Sequence, residues 1–390
     1  MEAVSAPYRS YALVSREQIA RNYRNVRSVV GPGVEVAAVV KADAYGHGML
    51  EVSRVLVAEG ATHLAVASVD EGALLREAGI HQTRILVMGG FLPYEGEALV
   101  EYDLTPAVHS LEQIREVDAV ARNLGGGAGA FACHSGARLG YHLKIDSGMG
   151  RLGTRAAAAE ILAALAAAPH ARLEGLMTHL ASPADYASSQ TDEQLASFRG
   201  IVDALRLAGV NAPYVHASST SAIGYGRREG WYGMVRAGLS LYGYVPQASG
   251  GAPRQELDVK PALTWKAKLI AVKDVPEGAP VGYGGTFRAP RPMRIGVAGA
   301  GYADGVRHEL SNRGQVIADG RLTPILGAVS MDLTTIDLSH TTALVPGGEV
   351  TLLGVEGNAS LDAQQIAAAA GTIAYDVLCG IGARVRRVYV

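Results

Sequence analysis

Lys41 follows the apolar run 36–40 and opens the glycine-punctuated stretch Ala42-Asp43-Ala44-Tyr45-Gly46-His47-Gly48. A lysine leaving a buried strand is stripped of water, which favours the neutral amine. A neutral amine adds to carbonyls, so this position offers a Schiff base with a carbonyl cofactor or substrate. A strand-end lysine turned to solvent is the plain alternative, and spacing alone does not separate the two. A second constellation is Lys144-Ile145-Asp146-Ser147-Gly148-Met149-Gly150-Arg151-Leu152-Gly153, two cations and a carboxylate around a glycine turn. Arg151 can fork onto a carboxylate or a ring oxygen, or an Arg–Asp pair simply closes the loop. A third is an anion site built from Tyr45, the hydroxyls of Ser218-Ser219-Thr220-Ser221 and the backbone N–H groups at Gly238 and Leu239. Small hydroxylic residues opening a helix suit a phosphate, and they also serve as ordinary N-caps.

These residues need a frame. Strand-like runs fall at 36–40, 64–69, 85–88, 105–108, 141–145, 173–178, 214–217 and 234–242, with helix-like segments such as 70–78, 111–123, 156–168 and 191–208 between them. Eight strands alternating with helices fit a (β/α)8 barrel. A doubly wound sheet fits the alternation with fewer strands, and no glycine fingerprint follows the first strand, which disfavours dinucleotide binding. Chemistry in such a barrel sits at the C-terminal strand ends, where Lys41, His109, Asp146, His179 and Ser218–Ser221 fall in succession.

Ser15-Arg16-Glu17-Gln18 has capping-box form ahead of the first helix. From about residue 255 the pattern turns β-like, with runs at 263–272, 294–297, 323–328, 333–337, 349–353 and 383–389, and one helix at 362–370. The Gly/Pro/Ser-rich stretch 246–253 reads as a linker, dividing the chain into a barrel domain (1–250) and a mostly β domain (251–390).

Composition narrows the partners. The 35 basic and 37 acidic residues nearly cancel, leaving no net basic field for a nucleic acid. Glycine is abundant at 48 of 390 residues, in keeping with many tight turns or close backbone–ligand approaches. Cys133 and Cys379 form no spaced cluster, so neither a disulfide framework nor a metal site is expected. Residues 1–10 lack the apolar core of a signal peptide, and the apolar run 156–168 is too short to span a membrane. A soluble, cytoplasmic protein is expected. His109, His134 and His216 read as hydrogen-bonded structural histidines.

The segment Val39–Gly48 closely resembles the pyridoxal-phosphate lysine motif of the alanine racemase family, and Lys144–Gly153 resembles that family's central motif. Met234-Val235-Arg236-Ala237-Gly238 is similar to its cofactor-ring arginine segment, and Gly282-Tyr283-Gly284-Gly285-Thr286-Phe287 to its second catalytic motif. Gly301–Gly305, Ser330-Met331-Asp332 and Thr372–Tyr375 follow in order, so the resemblance spans nearly the whole chain. It implies a barrel followed by a β domain that pairs with residues 8–13, and a homodimer whose active sites each take a tyrosine from the partner.

On that resemblance, Lys41 would carry pyridoxal 5'-phosphate and act as base on one face of the substrate Cα, with Tyr283 of the partner subunit acting on the other. Arg236 would face the pyridine nitrogen, and His179 would bridge Arg236 and Tyr283. Arg151 would contact the ring oxygen and substrate carboxylate, and Met331 would offer its backbone N–H to that carboxylate. Tyr45, Thr220 or Ser221, Gly238, Leu239 and Tyr375 would hold the phosphate. Lys144 matches a lysine that is carbamylated in many relatives.

The implied activity is interconversion of L- and D-alanine, supplying peptidoglycan. The alternatives are a racemase of serine, lysine or several amino acids, an amino-acid decarboxylase on the same plan, and a non-catalytic cofactor carrier. The segments 180–185, 216–221 and 305–308, where His308 stands in place of a frequent arginine, depart from the family pattern and bear on substrate breadth.

Overall fold

The computed structural model describes residues 7–124 and 138–390. Gly125–Gly129, Cys133 and His134, together with residues 1–6, lie outside the described residues. The described chain divides into two compact units, one of residues 19–44 and 49–260, the other of the N-terminal residues to 18, 45–48 and 261–390.

Strand β1 (Ser10–Val14) opens the chain and belongs to the second of these units. It lies parallel to Arg386–Tyr389 and antiparallel to β10 (Leu263–Val275). Trp265 Nε1–H donates to Ser10 Oγ at 2.7 Å, and Tyr11 Oη–H to Glu349 Oε1 at 2.8 Å, so buried polar tips on either side of β1 are satisfied. The nine-stranded sheet built on β10 carries two helices, Ala363–Ala370 and Ala374–Cys379. The second of these is not legible as a helix in the sequence, because six residues are too few to display a period. Asp362 caps the first by accepting from the Gln364 and Gln365 N–H groups.

The other unit is the barrel. Helix α1 (Arg16–Val30) leads to it, and Ser15 accepts from Gln18 N–H at 3.2 Å as a cap should. Its strands are β2 (Glu35–Val39), β3 (His63–Val66), β4 (Arg84–Val87), β5 (Leu104–Val108), β6 (Gly140–Lys144), β7 (Arg172–Met177), β8 (Tyr214–His216) and β9 (Met234–Ala237). All eight run parallel in the order β8-β7-β6-β5-β4-β3-β2-β9. The seam between β8 and β9 is joined by one bridge, Ser219 to Arg236, with Arg236 N–H donating to Ser218 O at 3.0 Å. The sequence run 234–242 reads as one strand, but β9 stops at Ala237. Gly238 adopts φ −116° and ψ −99°, which breaks the extended backbone, and Leu239–Tyr242 forms a tight helical turn. That early stop places the Gly238–Leu239 backbone at the strand's C-terminal end. Among the described residues no helix is long and apolar enough to cross a membrane.

A buried arginine braces the barrel wall. Arg76 has no solvent exposure and donates to the carbonyls of Tyr102 (2.8 Å), Ile80 (2.7 Å), Thr83 (2.9 Å) and Asp103 (2.9 Å). These carbonyls lie beside β4 and β5, so one guanidinium satisfies several chain turns at once. Arg76→Leu is expected to leave them unpaired and lower unfolding stability by about 3–5 kcal/mol. An unchanged urea midpoint would contradict this account of the wall.

Candidate active site

The barrel's C-terminal end gathers cations. Lys144 ends β6, Lys41 follows β2, Arg236 lies in β9, and Arg151 and His179 sit on the loops after β6 and β7. Burial, with Arg236, Arg151 and Lys41 nearby, pushes the Lys144 ammonium down to about 8; Asp146 opposes the shift.

Arg236 is buried, and its partners are all neutral. Nη2 donates to Thr178 O (2.8 Å), Ala217 O (3.0 Å) and His179 Nδ1 (3.0 Å), and Nη1 to His216 Nδ1 (2.6 Å) and His216 O (3.3 Å). Desolvation alone lowers its guanidinium to about 10, still charged at neutral pH. Because a guanidinium has only donors, Nδ1 of both histidines must be unprotonated. Burial and then the Arg236 charge hold both imidazoles well below their ordinary value.

The central loop separates two arginines. Asp146 accepts from Gly148 N–H (3.2 Å), Gly150 N–H (2.9 Å) and Arg155 Nε–H (2.7 Å). Arg155 therefore closes the loop. Arg151 is exposed and makes no ion pair or hydrogen bond among the described residues, which leaves its fork for a ligand.

The hydroxyl run resolves in the same way. Thr220 Oγ1 accepts from the N–H groups of Gly238 and Ser240, each at 3.2 Å, and lies 3.2 Å from Ser240 Oγ. Its hydroxyl is committed to shaping the turn. Ser221, one residue on, has no such commitment among the described residues, and Leu239 opens the turn after Gly238.

The backbone after Lys41 is strained. In the helical segment Lys41–Gly46, the residues Ala42, Asp43, Ala44 and Tyr45 have φ of 53°, 52°, 54° and 53°. Left-handed conformation costs an L-residue about 1–2 kcal/mol, so four in a row store on the order of 4–8 kcal/mol. Fixed partners offset it: Ala42 N–H donates to Glu71 Oε1 (2.7 Å), Ala44 N–H to Val40 O (2.8 Å) and Met49 N–H to Asp43 Oδ1 (2.7 Å). Strain held this firmly beside a candidate nucleophile marks a functional position. The sequence shows no sign of it, because the stretch contains no glycine until Gly46.

The β unit carries its own set. The Tyr45 and Tyr375 rings lie 5.9 Å apart, and burial raises both phenols. Tyr283 stands 77% exposed on a tight turn between Gly282 and Gly285, both at positive φ. Met331 is exposed on a loop anchored by Tyr302 N–H to Ser330 O and Ala303 N–H to Met331 O, each at 2.9 Å. Arg384 ties that loop down through Asp332 (2.7 Å) and Asp304 (3.1 Å). The Tyr302 ring lies 6.3 Å from that of His308.

Sequence reasoning passed over Arg155 and Arg384, whose partners are set by loop closure. It also passed over His142, whose Nδ1 lies 2.8 Å from His216 Nε2. The alternation His142, Lys144 along β6 was the available signal, since both share one face. His216 is hydrogen-bonded as expected, but to Arg236. Burial, with Lys144 adding to it, lowers the His109 ring to about 4, against an opposing backbone contact with Gly89.

His142, held near 3 by burial, joins His109, His179 and His216 as histidines that stay neutral in the fold. Free histidine titrates near 6.5. Below that value the unfolded chain binds more protons, so stability must fall with pH, by up to about 1.4 kcal/mol per pH unit for each histidine. Urea midpoints are expected to drop clearly between pH 7.5 and pH 5. A flat profile would show that these rings are not held neutral.

Comparison with known proteins shows what the whole chain resembles. The family model for the alanine racemase N-terminal domain matches residues 14–246, and that for the C-terminal domain matches 262–389. The alanine racemase of Halothermothrix orenii is 38% identical over 369 residues, covering 94% of this chain and 93% of the relative. The structure of alanine racemase from Clostridium difficile 630 superposes with a TM-score of 0.89 at 31% identity, covering 99% of this chain and 97% of that one. That of the Bartonella henselae alanine racemase, solved with covalently bound pyridoxal phosphate, gives 0.85 at 25% identity, covering 98% and 100%.

Proposed function

The chain belongs to the alanine racemase family, and from that premise we propose that it interconverts L- and D-alanine with pyridoxal 5'-phosphate. The observation that carries this reading is the surplus of cations at the barrel mouth. Lys41, Lys144, Arg151 and Arg236 converge, and Asp146, the carboxylate that acts on Lys144, is already engaged by Arg155 and two backbone N–H groups. Such a site suits an occupant with a phosphate and a carboxylate. Ser221, the Gly238–Leu239 backbone, Tyr45 and Tyr375 would hold the phosphate, with Thr220 shaping the turn.

When bound, the cofactor draws electrons from the substrate Cα and acidifies its C–H. The residues supply the rest. Lys41 Nζ takes or returns the Cα proton on one face, and Tyr283 Oη does so on the other. Two opposed groups invert the centre, whereas one would return its proton to the face it came from. Arg236 would present a fixed positive donor to the pyridine nitrogen, where a carboxylate would keep that nitrogen protonated. His179, held by Arg236 at Nδ1, has its proton on Nε2 and would pass a hydrogen bond on to Tyr283. Arg151 and the Met331 N–H orient the substrate carboxylate.

This reading makes the enzyme a cytoplasmic homodimer, with a barrel domain within residues 1–250, whose first strand joins the β unit, and a β domain of 251–390 that lends Tyr283 to its partner. Its product would serve peptidoglycan synthesis. Lys144, buried and partly neutral near pH 8, would add carbon dioxide, trading a cation for an anion beside Arg151.

Purified protein supplied with pyridoxal phosphate is expected to turn L-alanine into D-alanine, followed by chiral chromatography. Comparable D-serine or D-lysine would mean a broader site, and carbon dioxide release without D-product would overturn the reading. Tyr283→Phe is expected to cut racemisation at least about a hundredfold with cofactor binding retained. Mixing inactive Lys41→Ala and Tyr283→Phe proteins should restore partial activity, because one site of a mixed dimer is intact. No recovery would argue against sites shared between subunits. Gentle intact-mass measurement should find a carbon dioxide adduct that Lys144→Met lacks.

A further inference from the structure

The buried hydrogen-bond chain does not end at Arg236. Arg236 Nη1 sits 2.6 Å from His216 Nδ1, and a guanidinium can only donate. The His216 proton is therefore on Nε2. That atom lies 2.8 Å from His142 Nδ1, which must accept. Every proton in the chain points away from Arg236.

The barrel makes room for this. Strands β6 and β8 are separated by β7, so the His142–His216 bond crosses the inside of the barrel. It passes over Gly175, where a Cβ would come within 2.5 Å of the His142 ring. The same ring stacks on Tyr214, with centroids 5.9 Å apart and planes 23° apart. Barrel layers are ordinarily filled by branched aliphatics. Two fully buried imidazoles in their place are costly unless each nitrogen finds its partner.

We propose that His142 is a positioning residue: by accepting from His216 Nε2–H it fixes the His216 tautomer, and through it the guanidinium of Arg236. Removing the acceptor leaves the His216 N–H buried and unpaired. The ring then rotates or moves its proton to Nδ1, where it opposes Arg236 Nη1. The catalytic consequence rests on the reading of Arg236 as the partner of the cofactor's ring nitrogen. The tautomer itself does not.

The experiment pairs nitrogen-15 NMR of the histidine rings in the cofactor-loaded enzyme with steady-state kinetics, on wild type, His142→Leu and His142→Asn. Asparagine keeps an acceptor oxygen near the Nδ1 position; leucine does not. Wild type is expected to show a neutral His216 protonated at Nε2. His142→Leu is expected to lose that single state and drop kcat roughly ten- to a hundredfold with KM for L-alanine little changed, and His142→Asn to recover much of both. A wild-type His216 that is charged or protonated at Nδ1 overturns the proposal, even if the leucine variant fails to fold. So does a leucine variant that keeps the tautomer and kcat. If wild type shows the tautomer but racemises nothing, the functional reading falls while the chain stands.

Discussion

One charge without a counter-charge organises the barrel. Arg236 is buried at the seam where β8 and β9 barely pair, and its backbone N–H makes the hydrogen bond that joins them. Burying a guanidinium with no carboxylate is unfavourable, and the structure meets that cost with carbonyls from Thr178, His216 and Ala217 and two imidazole nitrogens. Three strand ends must therefore stand at fixed distances from one another. The geometry of closure and the geometry of the site are the same set of bonds.

That arrangement also explains why the mouth stays positive. A carboxylate beside Arg236 would neutralise it, and none is there among the described residues. Asp146 is turned into its own loop by Arg155. Lys144 is driven toward its neutral form by burial first and by the surrounding cations second. The left-handed segment after Lys41 is a second departure from ordinary backbone, held by Glu71, Asp43 and Val40. Strain and uncompensated charge are tolerated where a rigid surround over-determines them.

The fold was largely legible. All eight barrel strands lie within a few residues of their apolar runs, because a strand buried on both faces must be apolar along its length. The errors are local: β9 ends at Ala237, and Ala374–Cys379 is a helix too short to show a period. The division of labour in the site was less legible. Arg151 and Arg155 look alike in sequence, as do Thr220 and Ser221. Loop closure separates the first pair, and the Ser240 turn separates the second.

Taken alone, the residues determine the alternation of strands and helices, the β-rich second half and the ordered motifs around Lys41, Arg151, Arg236 and Tyr283 that mark the family. Tertiary structure decided which arginine is engaged, which hydroxyl is committed, and how His142, His216 and Arg236 join into one chain. Those contacts link residues 20 and 74 positions apart, across strands and through the barrel interior. Periodicity reports which face a residue occupies, and only closure of the barrel determines what stands opposite it.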